Sequence, residues 1–323
     1  MHPLIARIHP AVRTAVFAWL LSRSALWLVA PNRSFEPGAH TPVPGLLMAG
    51  LEFAGALFSS EIATQLVAWT PWVAVEILML FAGIAVYRFA RNTDLPQVAE
   101  RACWLWFFNP VVALTVMDWG AQMAAALGAL ALAGVVTHRP RRAAVATLLA
   151  VGCRLEFILL WPAIAIAGWI RHRPDKEPAT MALVSTFTMP LAFSFWVVLS
   201  WHLAGAAHIS LRGLHGETVW RTLEGLIPTS TAEIVLVVGT LAVLGLALRY
   251  LRRFPLWYGL CAVPALLWPL SHVPAQAAAI SICWALPVFV YLAVASDDRA
   301  IERPLMISLV VAFLLAVPGQ AIV

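Results

Sequence analysis

Long apolar runs separated by short basic or proline-containing breaks recur along the whole chain. Runs at about 11–30, 66–87, 102–117, 120–136, 179–201, 232–249, 255–271, 275–294 and 304–321 approach the ~20 residues a helix needs to cross hydrocarbon. Each is read as a membrane-spanning helix. One stretch does not fit this pattern. Residues 143–170 form 28 positions that are uncharged except for Arg154 and Glu156 near the middle. They lie between two basic loops, His138 to Arg142 and Arg171 to Lys176. Short arginine-rich loops stay on the cytoplasmic side of a membrane, so both ends of the stretch belong on one face. A single straight crossing cannot do that, and the stretch is too short for two crossings of about 20 residues each. The expectation is a broken or re-entrant pair, 143–153 and 157–170, that goes out and returns.

The distribution of charge supports that path. With the N-terminus inside, the inward segments hold Arg7 and Arg13, then Arg88, Arg91 and Arg101, then the two loops above. Arg249, Arg252 and Arg253 follow, then Arg299 and Arg303. This places 16 of the 21 basic residues on one side, and the asymmetry survives only if 143–170 returns to its starting face. The remaining five are Arg23, Arg33, Arg154, Arg212 and Arg221. The predicted architecture is therefore all-α: one polytopic transmembrane domain over residues 1–323. It has about 10–11 apolar segments, an outward C-terminus and a place in the cell (inner) membrane.

Two outward loops are long enough for structure of their own. In the first, about 31–65, the part from Val43 to Phe58 is apolar apart from Glu52, which predicts an interfacial helix. The second, about 202–231, carries His202, His208, Arg212, His215, Glu217, Arg221 and Glu224. The inward loops read as simple turns, so chemistry is expected on the outward side.

Composition agrees: 62% of the 323 residues are hydrophobic, 11% are charged and mean hydropathy is +0.85. Soluble domains are not built that way. The first run lacks a small-residue cleavage site and is expected to stay as a helix. The four cysteines share no close spacing, which speaks against a disulfide framework or zinc site. The net charge of +5 follows from the arginine loops and implies no nucleic acid.

Arg154 and Glu156 lead the candidate residues. An Arg in the outer half of a membrane suits a phosphate, since its fork donates two hydrogen bonds to one oxyanion; an Arg–Glu pair holding helices in register is the alternative. Asp118 stands at an outward turn, where an acid could hold a metal or sugar hydroxyls. Glu36 lies just beyond the first run, placed to deprotonate an acceptor hydroxyl. Both also read as solvated loop residues. His202, His208 and His215 recur at intervals of six and seven, which matches no metal-ligand signature. With Arg212 and Glu217, His208 and His215 could instead contact an anionic or sugar substrate. Arg23 and Glu76, single charges in the first two runs, read as an intramembrane pair.

The segment from Trp106 to Trp169 resembles part of the polytopic C-type glycosyltransferase superfamily. The likeness rests on Phe108-Asn109-Pro110, an outward turn from Asp118 to Gln122, a small-residue helix, a basic loop, and Ala144 to Cys153 leading into Arg154. It is similar to the mannosyltransferases that add the second mannose in glycolipid-anchor synthesis, and to polyprenol-dependent mannosyltransferases. The resemblance implies transfer of a hexose from a polyprenyl-phosphate carrier to an extracytoplasmic acceptor. By position it makes Arg154 the ligand of the lipid phosphate and Glu36 the first-loop acid. No cofactor is implied, although a divalent cation at the acid stays open. The chain departs from that family in lacking the Trp-Asp pair of its first loop and in having Leu155-Glu156-Phe157 after Arg154. Two other functions remain open: a non-catalytic subunit with a protein partner on the same scaffold, and a transporter or lipid flippase.

Overall fold

A computed structural model describes residues 9–29, 42–56, 60–92, 98–108, 119–153, 155–171, 180–204 and 293. Among the described residues the secondary structure is entirely helical, with turns and no strand. The helices are α1 (Pro10–Val29), α2 (Pro42–Ala56), α3 (Ser60–Asn92), α4 (Ala99–Phe107), α5 (Trp119–Val136) and α6 (Pro140–Cys153). A 3-10 turn, Leu155–Leu160, then leads to α7 (Trp161–Arg171), and α8 (Thr180–Ala204) follows. The runs expected at 232–249, 255–271, 275–294 and 304–321 lie outside the described residues, as does the 205–231 part of the second outward loop.

The buried face of α1 is Ala11, Ala15, Ala18 and Ser22, small residues at helical spacing that let α3 and α4 approach closely. Large apolar side chains also face outward in stripes, while Phe89, Trp106, Phe107 and Phe157 are buried. On α3, Trp69, Val73, Ile77 and Phe81 form one exposed stripe; on α8, Leu183, Phe187, Leu191, Phe195 and Val198 form another. Helix α5 is enclosed by α3, α6 and α7 and is apolar on all sides, as a central helix must be. Two segments, Trp72–Asn92 and Thr180–Leu199, are long and apolar enough to cross a membrane, and Gln122–Val135 is a shorter apolar helix.

Three boundaries differ from the sequence expectation. Helix α3 begins at Ser60, not near 66, so the end of the first outward loop is helical. The run expected at 102–117 is helical only over Ala99–Phe107 within the described residues, and Phe108 N–H closes the last turn on Trp104 O at 3.0 Å. Residues 109–117 of that run lie outside the described residues. The return arm expected from 157 begins instead at Trp161, with Pro162 in its first turn, where a missing N–H costs no ladder bond.

The α5–α6 connection is a three-residue turn over 137–139. Arg139 N–H reaches Gly134 O at 2.9 Å and His138 N–H reaches Val135 O at 3.3 Å, the paired bonds of a Schellman cap. The left-handed position of that cap, usually glycine, is His138 with φ 54°. Pro140 then opens α6 at a position whose N–H has no helical partner. Gly134 permits the tight return: a Cβ there would lie 2.9 Å from the backbone N of Ala143.

Candidate functional site

The broken arm is the feature best placed to carry chemistry. Helix α6 ends at Cys153, and the arm continues as the 3-10 turn from Leu155 before α7 begins at Trp161. Fourteen residues of α6 and eleven of α7 rise about 21 and 16 Å at 1.5 Å per residue. Neither spans a hydrocarbon core of about 30 Å alone.

Three contacts hold the arm on α8. Pro190 lies inside α8 and has no N–H for the carbonyl of Thr186, four residues earlier. Trp161 Nε1 donates to that carbonyl at 2.7 Å, and Trp169 Nε1 donates to the Thr186 hydroxyl at 2.9 Å. At the end of α6, Trp196 Nε1 donates to Leu148 O at 2.7 Å. Its ring, with Val43 of α2, covers Gly152 so closely that no Cβ would fit. Gly168 of α7 is likewise pressed against the Ser185 side chain.

The second polar feature is buried. Arg23 Nε donates to Glu76 Oε2 at 2.7 Å, and Trp19 Nε1 donates to the same oxygen at 2.7 Å. The pairing expected of the two charges is present. Arg23 and Glu76 are each 9% exposed. Among the described residues, the Arg23 nitrogens Nη1 and Nη2 are buried without a hydrogen-bond partner, which leaves part of the guanidinium unsatisfied there.

No protein-family model, curated protein or solved structure matches the chain. The site therefore has to be read from its own residues.

Of the residues expected to act, Glu36, Asp118, Arg154, His208, Arg212, His215 and Glu217 lie outside the described residues. Glu156 lies in the 3-10 turn, one residue past its start. Among the described residues no three His, Cys, Asp or Glu side chains gather as a metal site. Sequence reasoning missed Trp19 as a third member of the ion pair and Thr186 as the anchor of the arm. A signal for Thr186 was present, because Pro190 in an apolar run frees the carbonyl four residues before it. The 137–139 turn, expected to be a simple connection, borders a cavity of about 1400 Å³.

Proposed function

We propose that the chain is a polytopic membrane protein whose N-terminus and basic turns face the cytoplasm, and that on this scaffold it transfers a hexose from a polyprenyl-phosphate donor to an acceptor on the extracytoplasmic face. The observation that carries this reading is the broken arm. Both of its halves are shorter than a crossing, and the sequence between them carries an arginine suited to a phosphate. Support for the membrane comes from the outward stripes on α3 and α8, whose large apolar side chains would be costly to hydrate along the whole helix.

The depths agree. Cys153 lies about 20 Å along α6 from the basic turn; Arg23 lies about 20 Å along α1 from Pro10, and Glu76 about 24 Å along α3 from Asn92. The break and the ion pair thus share the outer half of the bilayer, and Trp19, Arg23 and Glu76 hold α1 against α3 at that level. Arg154 takes the carrier phosphate. Glu36 deprotonates the acceptor, Asp118 binds sugar hydroxyls or a divalent cation, and Glu156 with the 208–217 cluster orients the sugar. Position and orientation supply much of the rate.

The test is transfer from a labelled lipid-linked sugar by purified protein. Glu36→Gln, Asp118→Asn and Arg154→Ala are each expected to lower the rate a hundredfold or more, in the ~10²–10⁴ range of an acid–base contribution. Unchanged transfer in all three would remove the proposed site. A second reading, a non-catalytic subunit, is favoured by the missing Trp-Asp pair of the first loop; copurification with a stoichiometric partner and no transfer would establish it.

A further inference from the structure

The 1400 Å³ cavity opens between α3, α5 and α6 at the basic end of the bundle. Its mouth and its wall differ in chemistry. The mouth carries Arg88 from α3, Arg139 from the turn, and Arg141 and Arg142 from α6, all exposed. Among the described lining residues there is no acid, and none of these four guanidinium groups has an acidic partner among the described residues. Deeper in, the wall is Phe81, Ile84, Leu130, Val145 and Leu149. Phe81 and Val145 are 55% and 58% exposed, so the apolar wall is open at its side. From Arg88 to Phe81 along α3, and from Arg142 to Leu149 along α6, that wall runs about 10 Å beneath the arginines.

We infer that this cavity is a headgroup site for an anionic phospholipid of the leaflet it faces, with phosphate in the arginine ring and an acyl chain against the apolar wall. The inference rests on the membrane placement proposed above and not on the transferase chemistry. Four guanidinium groups around one opening repel each other unless an anion lies between them, and their planar forks match phosphate oxygens two at a time. A free phosphate would satisfy the mouth and leave the wall bare. An amphiphile covers both, and basic pockets between helices on the cytoplasmic side are where anionic headgroups bind. A headgroup with two phosphates neutralises the ring better than one with a single phosphate. The rim is also held at some cost: His138 keeps a left-handed backbone that glycine would adopt freely, and such strain gathers where a ligand is clamped.

The experiment is native mass spectrometry of the purified full chain after exchange into micelles containing a two-phosphate glycerophospholipid, phosphatidylglycerol or phosphatidylcholine. Retention is expected in that order. Arg88→Gln with Arg142→Gln should lower retention of the two-phosphate lipid about tenfold or more, the equivalent of losing one charge-assisted contact. The charge-matched control, Arg13→Gln with Arg91→Gln, removes two cations outside the cavity and should change retention less than about twofold. If the first pair disturbs folding, Arg139→Gln with Arg141→Gln takes its place, because both residues are exposed and line the same mouth. Equal loss in cavity and control variants, or equal retention of all three lipids, would overturn the site. Displacement of the lipid by millimolar inorganic pyrophosphate would reassign it to a soluble anion. Protein released from membranes by an alkaline wash would instead refute the membrane placement, a result separate from either lipid outcome.

Discussion

Replacing Glu76 with Leu should be among the most damaging single changes in the described bundle, while replacing Glu76 and Arg23 together should be far milder. At 2.7 Å and an effective dielectric of about 20, the pair attracts by roughly 6 kcal/mol. Burial opposes this by several kcal/mol per ion, and the two Arg23 nitrogens without a partner among the described residues add about 1–3 kcal/mol each. The intact pair is thus near break-even against an apolar substitute. Removing one partner is different, since it leaves a buried charge at a cost of about 3–5 kcal/mol. Glu76→Leu also takes the acceptor from Trp19, so it should cost more than Arg23→Met, which leaves Glu76 its bond from Trp19. The pair Arg23→Met with Glu76→Leu should recover most of the loss, and adding Trp19→Phe should recover the rest. The assay is unfolding in mixed micelles by sodium dodecyl sulfate, followed by helical circular dichroism. A double variant as unstable as Glu76→Leu alone would refute this account, as would a Glu76→Leu loss under about 1 kcal/mol.

Gly168→Ala should cost about 1–3 kcal/mol by overpacking against Ser185, and Ser185→Gly should restore most of it; thermal unfolding in detergent reads both. His138→Gly should stabilise the α5–α6 turn by about 1 kcal/mol, because glycine carries no left-handed penalty, and an unchanged midpoint in the same micelle titration would count against the cap. In a chain lacking its four native cysteines, single cysteines at Thr137 and Arg173 should react with an impermeant maleimide from the same side, the cytoplasmic one. Labelling from opposite sides would replace the re-entrant arm with a full crossing.

Much of the helical layout was legible because apolar runs of spanning length leave few alternatives. The ends of α1, α5 and α8 fall within a few residues of the expected runs. The change from α-helix to a 3-10 turn between α6 and α7 falls within the stretch that the basic loops had marked as awkward in length. The start of the return arm was misplaced at Pro162, since hydropathy does not register dihedral restriction. Pairing of Arg23 with Glu76 could be inferred because a lone charge in an apolar run needs a partner. Trp19 could not, because indole is apolar by composition and polar at one atom. The arginine-ringed cavity was hidden for a related reason. Arg88 and Arg142 come from segments far apart in the chain, and only the packing of α3 and α6 against α5 puts them around one opening.

The bond from Trp161 to Thr186 makes two distant positions depend on each other. Replacing a mid-helix proline usually steadies a helix by restoring a ladder bond, and Pro190→Ala would do so within α8. The restored N–H would also compete for the carbonyl that Trp161 occupies. Helix α8 would gain while the arm lost its anchor, so the two effects oppose each other in one substitution. Changes at 161 and 190 are therefore epistatic. A lineage that lost the proline would tolerate loss of the tryptophan, and one that kept the proline would be held to an indole, or another donor of similar reach, at 161.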